Sequence, residues 1–419
     1  MSLDPHPLRP RLVGPTFAFT LCLAIAALGS HAHAQTPNDG ARLDGEYGLY
    51  VTRSADTLRV AWLTRRAGVG WAQLVTADGT AAAAVTTQAG VAHSVQFVHP
   101  ADDTVTVRYG ARDANDDRHE TTLRLTLAPP RPLVSYSGVD SIFVMGDIHG
   151  EMDTLRTVLR NAGVIDTGGA WSAGRAHLVV VGDMVDRGDD ATAVLWFLYG
   201  LEPQAEAAGG RLDVVLGNHE IMVLLNDLRY VQPKERAIAE AHGVSYDRMF
   251  DPRHSILGTW LVSKPALIRV DDVLFAHGGV STDYLGYSLE SLDDSLATYS
   301  REELFYRWSD ATYATPPDTS GVNRRDALFM GQRSPLWYRA YVNTDTVATE
   351  LNSVLDHFRA RLHVVGHTAL PTIAQTYGGN VIAVNTVPFA AELLLLVRDG
   401  PDYERWRFRT SGPPERIDP

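Results

Sequence analysis

A single cysteine, Cys22, is all the thiol chemistry this 419-residue chain contains. It lies inside an apolar stretch, Phe17 to Leu28, and the residues before it, Phe19-Thr20-Leu21, are not the small ones a lipidated cysteine needs. Everything after that stretch is thiol-free, which excludes disulfides, thiolate metal ligands and a cysteine nucleophile. Any metal ion must be held by His, Asp, Glu or Asn. Positive charge is also short: 37 Lys and Arg stand against 50 Asp and Glu, a formal net charge of -13. That balance argues against nucleic acid or an anionic membrane as partner. It leaves a small phosphate-bearing substrate open, because a bound metal reverses the field locally. Long apolar runs are missing too. Phe17 to Leu28 covers about 12 residues, against the roughly 20 that span a bilayer. No repeat or low-complexity tract follows it.

What is present divides the chain. Arg9 and Arg11, the apolar run, and Ala32-His33-Ala34 form the pattern of a secretory signal peptide over residues 1–34, cut after Ala34. The expected destination is the periplasm or the exterior, with no stable membrane insertion after cleavage. Apolar content of 45% and charged content of 21% suit a folded soluble protein beyond it. Residues 41–128 alternate with period two, as in Thr57-Leu58-Arg59-Val60-Ala61-Trp62-Leu63 and Asp103 to Tyr109, with Asp78-Gly79 and Gln88-Ala89-Gly90 as turn signals. This predicts a small all-β sandwich with Trp62 in its core, similar in a general way to a fibronectin-III or immunoglobulin-like module. It contains no catalytic constellation. Ala128-Pro129-Pro130-Arg131-Pro132 opens a proline-rich linker over 129–140, expected to act as a semi-rigid spacer.

From Ser141 to about residue 412 the rhythm becomes strand, loop, helix. Apolar runs at Ile142–Met145, Leu178–Val181, Val214–Leu216, Val273–Ala276, Leu362–Val365 and Val381–Val384 alternate with helical patterns at Glu151–Asn161, Ala191–Tyr199 and Ile221–Leu228. This predicts an α/β domain. Two runs around Asp399-Gly400 predict a closing hairpin.

The first five of those strands run into polar residues. They give Asp147 and His149, then Asp183, Asp186 and Arg187, then Asn218, His219 and Glu220, then His277, then His367. Sites in open α/β folds form outside the carboxyl ends of strands, so these loops are expected to converge. Asp147, His149, Asp183, Asn218, His277 and His367 are too many oxygen and nitrogen donors for one catalytic zinc. They suit two metals about 3.5–4 Å apart that share a carboxylate and clamp a phosphoryl group.

In order, the motifs read GDIHG, GDMVDRG, GNHE, HGG and a late GH. Over residues 141–390 this set resembles the calcineurin-like metallophosphoesterases of phosphoprotein phosphatase type. Pro335-Leu336-Trp337-Tyr338-Arg339, followed by Val364-Val365-Gly366-His367-Thr368, is similar to the branch called Shewanella-like protein phosphatases; Ser334 stands where that branch usually has glycine. The resemblance implies a β-sandwich core flanked by helices and two metal ions, Mn, Fe or Zn. Asp147 and His149 would bind one ion, Asn218, His277 and His367 the other, and Asp183 both. His219 would protonate the leaving oxygen, with Asp186 orienting its ring. Arg187 would fork onto phosphate oxygens, aided by Asn218 and by Arg339, with Arg333 as the other candidate arginine.

The activity implied is hydrolysis of phosphate monoesters on phosphoproteins (phosphotyrosine, phosphoserine or phosphothreonine) or on small phosphate esters. Trp337 and Tyr338 would wall the cleft and favour aryl phosphates, unless both are core. Residues 229–257 would form an insert over the site, and His254 has no assigned role. Hydrolysis of nucleotides or dinucleoside polyphosphates shares the GDxHG, GDxxDRG and GNHE set and is the second reading. A non-catalytic metal-binding adhesion scaffold is the third; the presence of Asp186, Arg187 and His219 argues against it.

Overall fold

The computed structural model describes residues 48–113, 118–300 and 322–417. The expected signal peptide lies outside the described residues. Among the described residues no helix is long and apolar enough to cross a membrane.

The first five strands, β1 (Tyr50–Arg53), β2 (Thr57–Thr76), β3 (Val85–Val98), β4 (Thr104–Asp113) and β5 (Arg118–Thr126), form one antiparallel sheet of order β1-β2-β4-β5, with β3 also paired to β2. Period-two alternation holds: Leu58, Val60 and Trp62 are buried. The arrangement differs from the expected two-layer sandwich. The layer that covers this sheet is the α/β body itself, because Leu58, Trp62 and Leu74 share one apolar core with Trp196, Tyr199 and Trp260. Alternation shows which face is buried but not what buries it. Polar contacts seal the joint. Trp196 Nε1 donates to Leu49 O at 2.8 Å, Thr126 N to Tyr199 Oη at 2.7 Å, and Arg53 N to His254 O at 2.8 Å.

The proline-rich segment is likewise not a spacer. Arg131 pairs with Asp293 and Asp294. Arg269 N donates to Val134 O and Asp271 N to Tyr136 O, each at 2.9 Å. A short strand, β6 (Ser135–Tyr136), thereby lies parallel to β10 (Leu267–Val270).

Two six-stranded sheets make the body. One has the order β17-β16-β15-β7-β8-β9, from β7 (Ser141–Met145), β8 (His177–Val180), β9 (Arg211–Val214), β15 (Glu392–Asp399), β16 (Asp402–Arg409) and β17 (Glu415–Arg416). The other has the order β13-β14-β12-β11-β10-β6, adding β11 (Val273–Ala276), β12 (Leu362–Val365), β13 (Ala374–Thr376) and β14 (Val381–Ala383). Ile142, Val144 and Val179 face Val273, Phe275 and Val364 in the cluster between the sheets. The alternate residues Phe143, Met145, Leu178 and Val180 belong to the larger outer cluster shared with the helices. Both faces are covered, which is why these strands read as unbroken apolar runs. The expected α/β architecture, a sandwich core flanked by helices, is what forms, and β15 and β16 make the expected hairpin. Helix α1 (Met152–Asn161) follows β7, and α2 (Ala191–Ala207) follows β8 and runs two turns beyond its expected end. The short helix α3 (Asn218–Leu224) begins at Asn218, so Asn218 and His219 occupy its first turn.

The insert contains α4 (Pro233–Ala241), whose Glu235 is buried. Its carboxylate accepts hydrogen bonds from Thr192 N, at 3.2 Å, and from Thr192 Oγ1, at the start of α2. Burial pushes this carboxyl up from 4.5 to about 7. A raised acid pKa means the folded state binds the proton more tightly, so stability is lost as pH rises from 4.5 to about 7. Glu235→Gln is therefore expected to stabilise the protein at pH 8 by up to about 3 kcal/mol, and not at pH 4. Thermal unfolding at both pH values checks this; an equal shift at both would refute it. The shared core makes a second prediction. A chain starting at Pro132 keeps every candidate ligand but uncovers Trp196 and Tyr199, and it is expected to melt well below the full chain or to precipitate. An unchanged melting temperature would show that the sheet is dispensable.

Candidate active site

The loops after β7, β8, β9, β11 and β12 meet at one end of the sandwich. Their backbone is unusual. His149, Asp183, Asp186, Arg187 and His367 have φ of 48°, 52°, 68°, 67° and 61°. Left-handed conformations at non-glycine residues cost on the order of 1 kcal/mol or more each and persist only where the surroundings hold them. Glu220 does much of that holding. Its buried carboxylate accepts N–H groups from Met184 at 2.7 Å, Gly217 at 2.8 Å, Asp183 at 2.9 Å and Val185 at 3.2 Å, tying the loop after β8 to the loop after β9. The motif glycines permit the approach. A Cβ on Gly217 would sit 2.3 Å from Asp183 Oδ1, and one on Gly366 2.5 Å from Asp147 Oδ1.

Asp183 is the centre. It belongs to two groups of potential ligands, His149–Asp183–His219 and Asp183–His277–His367, whose donor atoms lie within 4.8 Å of one another in each group. His149 Nδ1 donates to Val185 O at 2.9 Å, which leaves Nε2 as a lone pair 3.7 Å from Asp183 Oδ2 and 3.9 Å from Asp147 Oδ2. His277 Nδ1 donates to Val181 O at 2.7 Å. Its Nε2 faces Asp183 Oδ2 at 3.1 Å, Asn218 Oδ1 at 3.0 Å and His367 Nδ1 at 3.1 Å. His367 N donates to Asp147 Oδ1 at 3.0 Å and Asn385 Nδ2 to Asp147 Oδ2 at 2.6 Å. His367 Nε2 and Asn385 Oδ1 are buried with no hydrogen-bond partner among the described residues.

Electrostatics fit a cation. Burial pushes the His149 imidazole down to about 3. Burial, helped by His277 and Arg339, pushes His367 down to about 2, so both rings are neutral donors of electron pairs. Burial raises Asp147 to about 7. Burial also opposes ionisation of Asp183, but the His277 and His219 imidazoles outweigh it and hold that carboxyl well below its usual range. Burial disfavours the charged His277 ring, yet Asp183 lifts it to about 9. Carboxylates, a carboxamide oxygen and the bare imidazole nitrogens of His149 and His367 packed this tightly, with no sulfur, are a hard-to-borderline donor set that suits divalent ions of the Mn, Fe or Zn kind.

His219 stands beside this cluster. Its Nδ1–H donates to Asp186 Oδ2 at 2.6 Å, so Nε2 is the atom it presents, 3.9 Å from Asp183 Oδ2 and 3.3 Å from Arg187 Nη2. Burial lowers its pKa, but Asp183 and Asp186 more than compensate and the net shift is upward. Arg339 reaches the opposite side: its Nη1 donates to His367 O at 2.8 Å, and its Nη2 lies 3.5 Å from His367 Nδ1. Arg333 does not reach; it pairs with Asp283 and Glu350.

The aromatic wall differs from expectation. Tyr338 is buried, packs 5.1 Å from Tyr341 and donates its hydroxyl to Glu350 at 2.7 Å. Only Trp337 meets the site, edge-on to His367 at 5.6 Å. The rings that flank the opening are Tyr230, 5.3 Å from His219, and Phe389, 4.4 Å from His149. The insert touches the site through Tyr230 O, which accepts Arg187 N at 3.0 Å, and through Gln232 Nε2, which donates to Arg187 O at 2.6 Å. It also packs beside the first sheet, where His242 Nε2 meets Gly48 O at 2.7 Å just before β1. Sequence reasoning missed Asn385, Tyr230 and Phe389, and it gave Glu220 no role. Only Glu220 carried a signal, a glutamate three residues past Gly217 at a helix start.

A two-sheet sandwich with this Asp/His/Asn cluster at its strand ends, a His–Asp dyad and an arginine is the architecture of a metallophosphoesterase. The chain belongs to the calcineurin-like phosphoesterase family, whose sequence profile matches residues 141–371. It is 27% identical over 198 residues to Shewanella-like protein phosphatase 2 of Arabidopsis thaliana, across 38% of this chain and 51% of the relative, so it spans about half of that protein's length. It is 29% identical over 147 residues to a symmetrical bis(5'-nucleosyl)-tetraphosphatase of Glaesserella parasuis, covering 34% of this chain and 46% of that one. Among solved structures, a cold-active protein-tyrosine phosphatase of a psychrophilic Shewanella species superposes with a TM-score of 0.68 at 28% identity, over 90% of this chain and all of the other.

Proposed function

We propose that the protein is a two-metal phosphomonoesterase that acts on phosphoproteins. The observation that supports this best is Asp183 shared between two ligand groups, with the His219–Asp186 pair opening onto the same space. Asp147 and His149 would hold one ion, Asn218, His277 and His367 the other, and Asp183 both. Ions held there would supply charge neutralisation at the phosphoryl oxygens and an activated water.

The chain does the rest. Arg187 forks onto two phosphoryl oxygens, and Arg339 with the Asn218 carboxamide steadies the others. Because the Arg187 guanidinium lies 3.3 Å from His219 Nε2, a phosphoryl group seated on it presents its leaving oxygen to that nitrogen. His219 gives its Nε2 proton to the leaving oxygen, and Asp186 keeps the ring in the right tautomer and orientation. Phosphoprotein substrates are favoured by the likeness to the Shewanella tyrosine phosphatase along nearly the whole chain. Nucleotide polyphosphates are the second reading, prompted by the tetraphosphatase relative.

His219→Ala should retain its metal and slow alkyl phosphates by about 10²–10⁴, the usual share of general acid catalysis, with a smaller loss on aryl phosphates that leave more easily. Asp183→Asn should lose both ions as well as activity. Metal analysis with steady-state kinetics on both variants decides it: one ion per chain in the wild type, or equal losses on both substrates with His219→Ala, would overturn the reading. Faster turnover of dinucleoside tetraphosphate than of any phosphopeptide would move the assignment to the second reading. A periplasmic or exported location is our reading of the signal-like residues 1–34; cell fractionation should recover a form starting at Gln35 there, and a purely cytosolic full-length chain would contradict this.

A further inference from the structure

Arg187 is an exposed member of the site, and aromatic rings lie on both sides of it. Its guanidinium carbon is 5.1 Å from the centre of the Tyr230 ring and 6.0 Å from that of Phe389. Phe389 is half-buried, wedged edge-on against His149 at 4.4 Å, so it closes the inner side. Tyr230 is different. It is 41% exposed, a high value for so large a ring, and its centre is 5.3 Å from that of His219. Its backbone is fixed, since its carbonyl accepts Arg187 N at 3.0 Å. A rigidly based, outward-facing ring thus stands next to the imidazole that meets the leaving oxygen.

We infer that Tyr230 is a specificity-determining residue, and that its ring packs against the leaving group and selects aryl phosphate monoesters, phosphotyrosine in a peptide being the fitting case. The inference rests on the proposed phosphomonoesterase activity. The group carried by the leaving oxygen necessarily lies on the His219 side of the phosphorus, and Tyr230 is the exposed aromatic on that side. The Tyr338 ring, buried behind Gly279, has no such access. An aromatic pair contributes roughly 0.5–1.5 kcal/mol beyond burial, a factor of about 2–10 in rate when realised in the transition state. A serine leaving group has no ring face to offer.

The test measures kcat/KM on one peptide carrying phosphotyrosine or phosphoserine at the same position, for the metal-loaded wild type, Tyr230→Ala and Tyr230→Phe. Comparing the ratio of the two values between wild type and variant cancels the intrinsic difference between leaving groups. The ratio should fall about 2–10-fold in Tyr230→Ala and be restored in Tyr230→Phe. If Tyr230 only props up Arg187, both substrates suffer alike and the ratio stays put, which would overturn the inference while leaving the phosphatase reading intact. A wild type inert on both peptides would overturn that reading and this inference together.

Discussion

One carboxylate, Asp183, must stay charged while buried at one end of the sandwich, and much of the molecule serves that constraint. Burial alone would neutralise it. His277 and His219 prevent this, and each is held in turn, by Val181 O and by Asp186. The loop that carries Asp183 runs through left-handed residues, and Glu220 restrains it by accepting three of its peptide N–H groups together with that of Gly217. A negative charge surrounded by further groups with lone pairs to give is a good place for cations. Metal affinity, loop strain and the burial of Glu220 are therefore parts of one arrangement.

The first sheet belongs to the same arrangement at one remove. It has no titratable cluster at the site, yet it covers α2, and the insert pressed against it holds Arg187 through Tyr230 O and Gln232. Arg187 is thus braced from a part of the chain that carries no chemistry.

The site residues at strand ends were legible because their signal is local: an apolar run, a glycine, then Asp, His or Asn. The α/β layering was legible for the same reason. The second layer of the first sheet was not, because alternation in residues 57–76 cannot say that its cover is Trp196 rather than another strand. Asn385 went unseen because it meets Asp147 across 238 positions. Tyr230 and Phe389 sit in irregular segments with no motif, and their roles exist only through the rings they face. Trp337 and Tyr338 are adjacent, yet one touches His367 while the other is core; which neighbour turns inward depends on the Tyr341 and Glu350 contacts that capture Tyr338.

The position of β7 sets an order of events. The strand that delivers Asp147 and His149 is paired on one side with β8, made soon after it, and on the other with β15, which is made only after β8 to β14. Asp147 is also held by the backbone of His367, 220 residues downstream. Contacts of such separation form late, since their loop-closure entropy must be met first. A nascent chain that has not yet delivered β15 and His367 holds the front half of a metal site without its back half. Ion capture thus falls after the C-terminal hairpin has docked, in whichever compartment that docking takes place, and the metals available there are the ones the enzyme acquires.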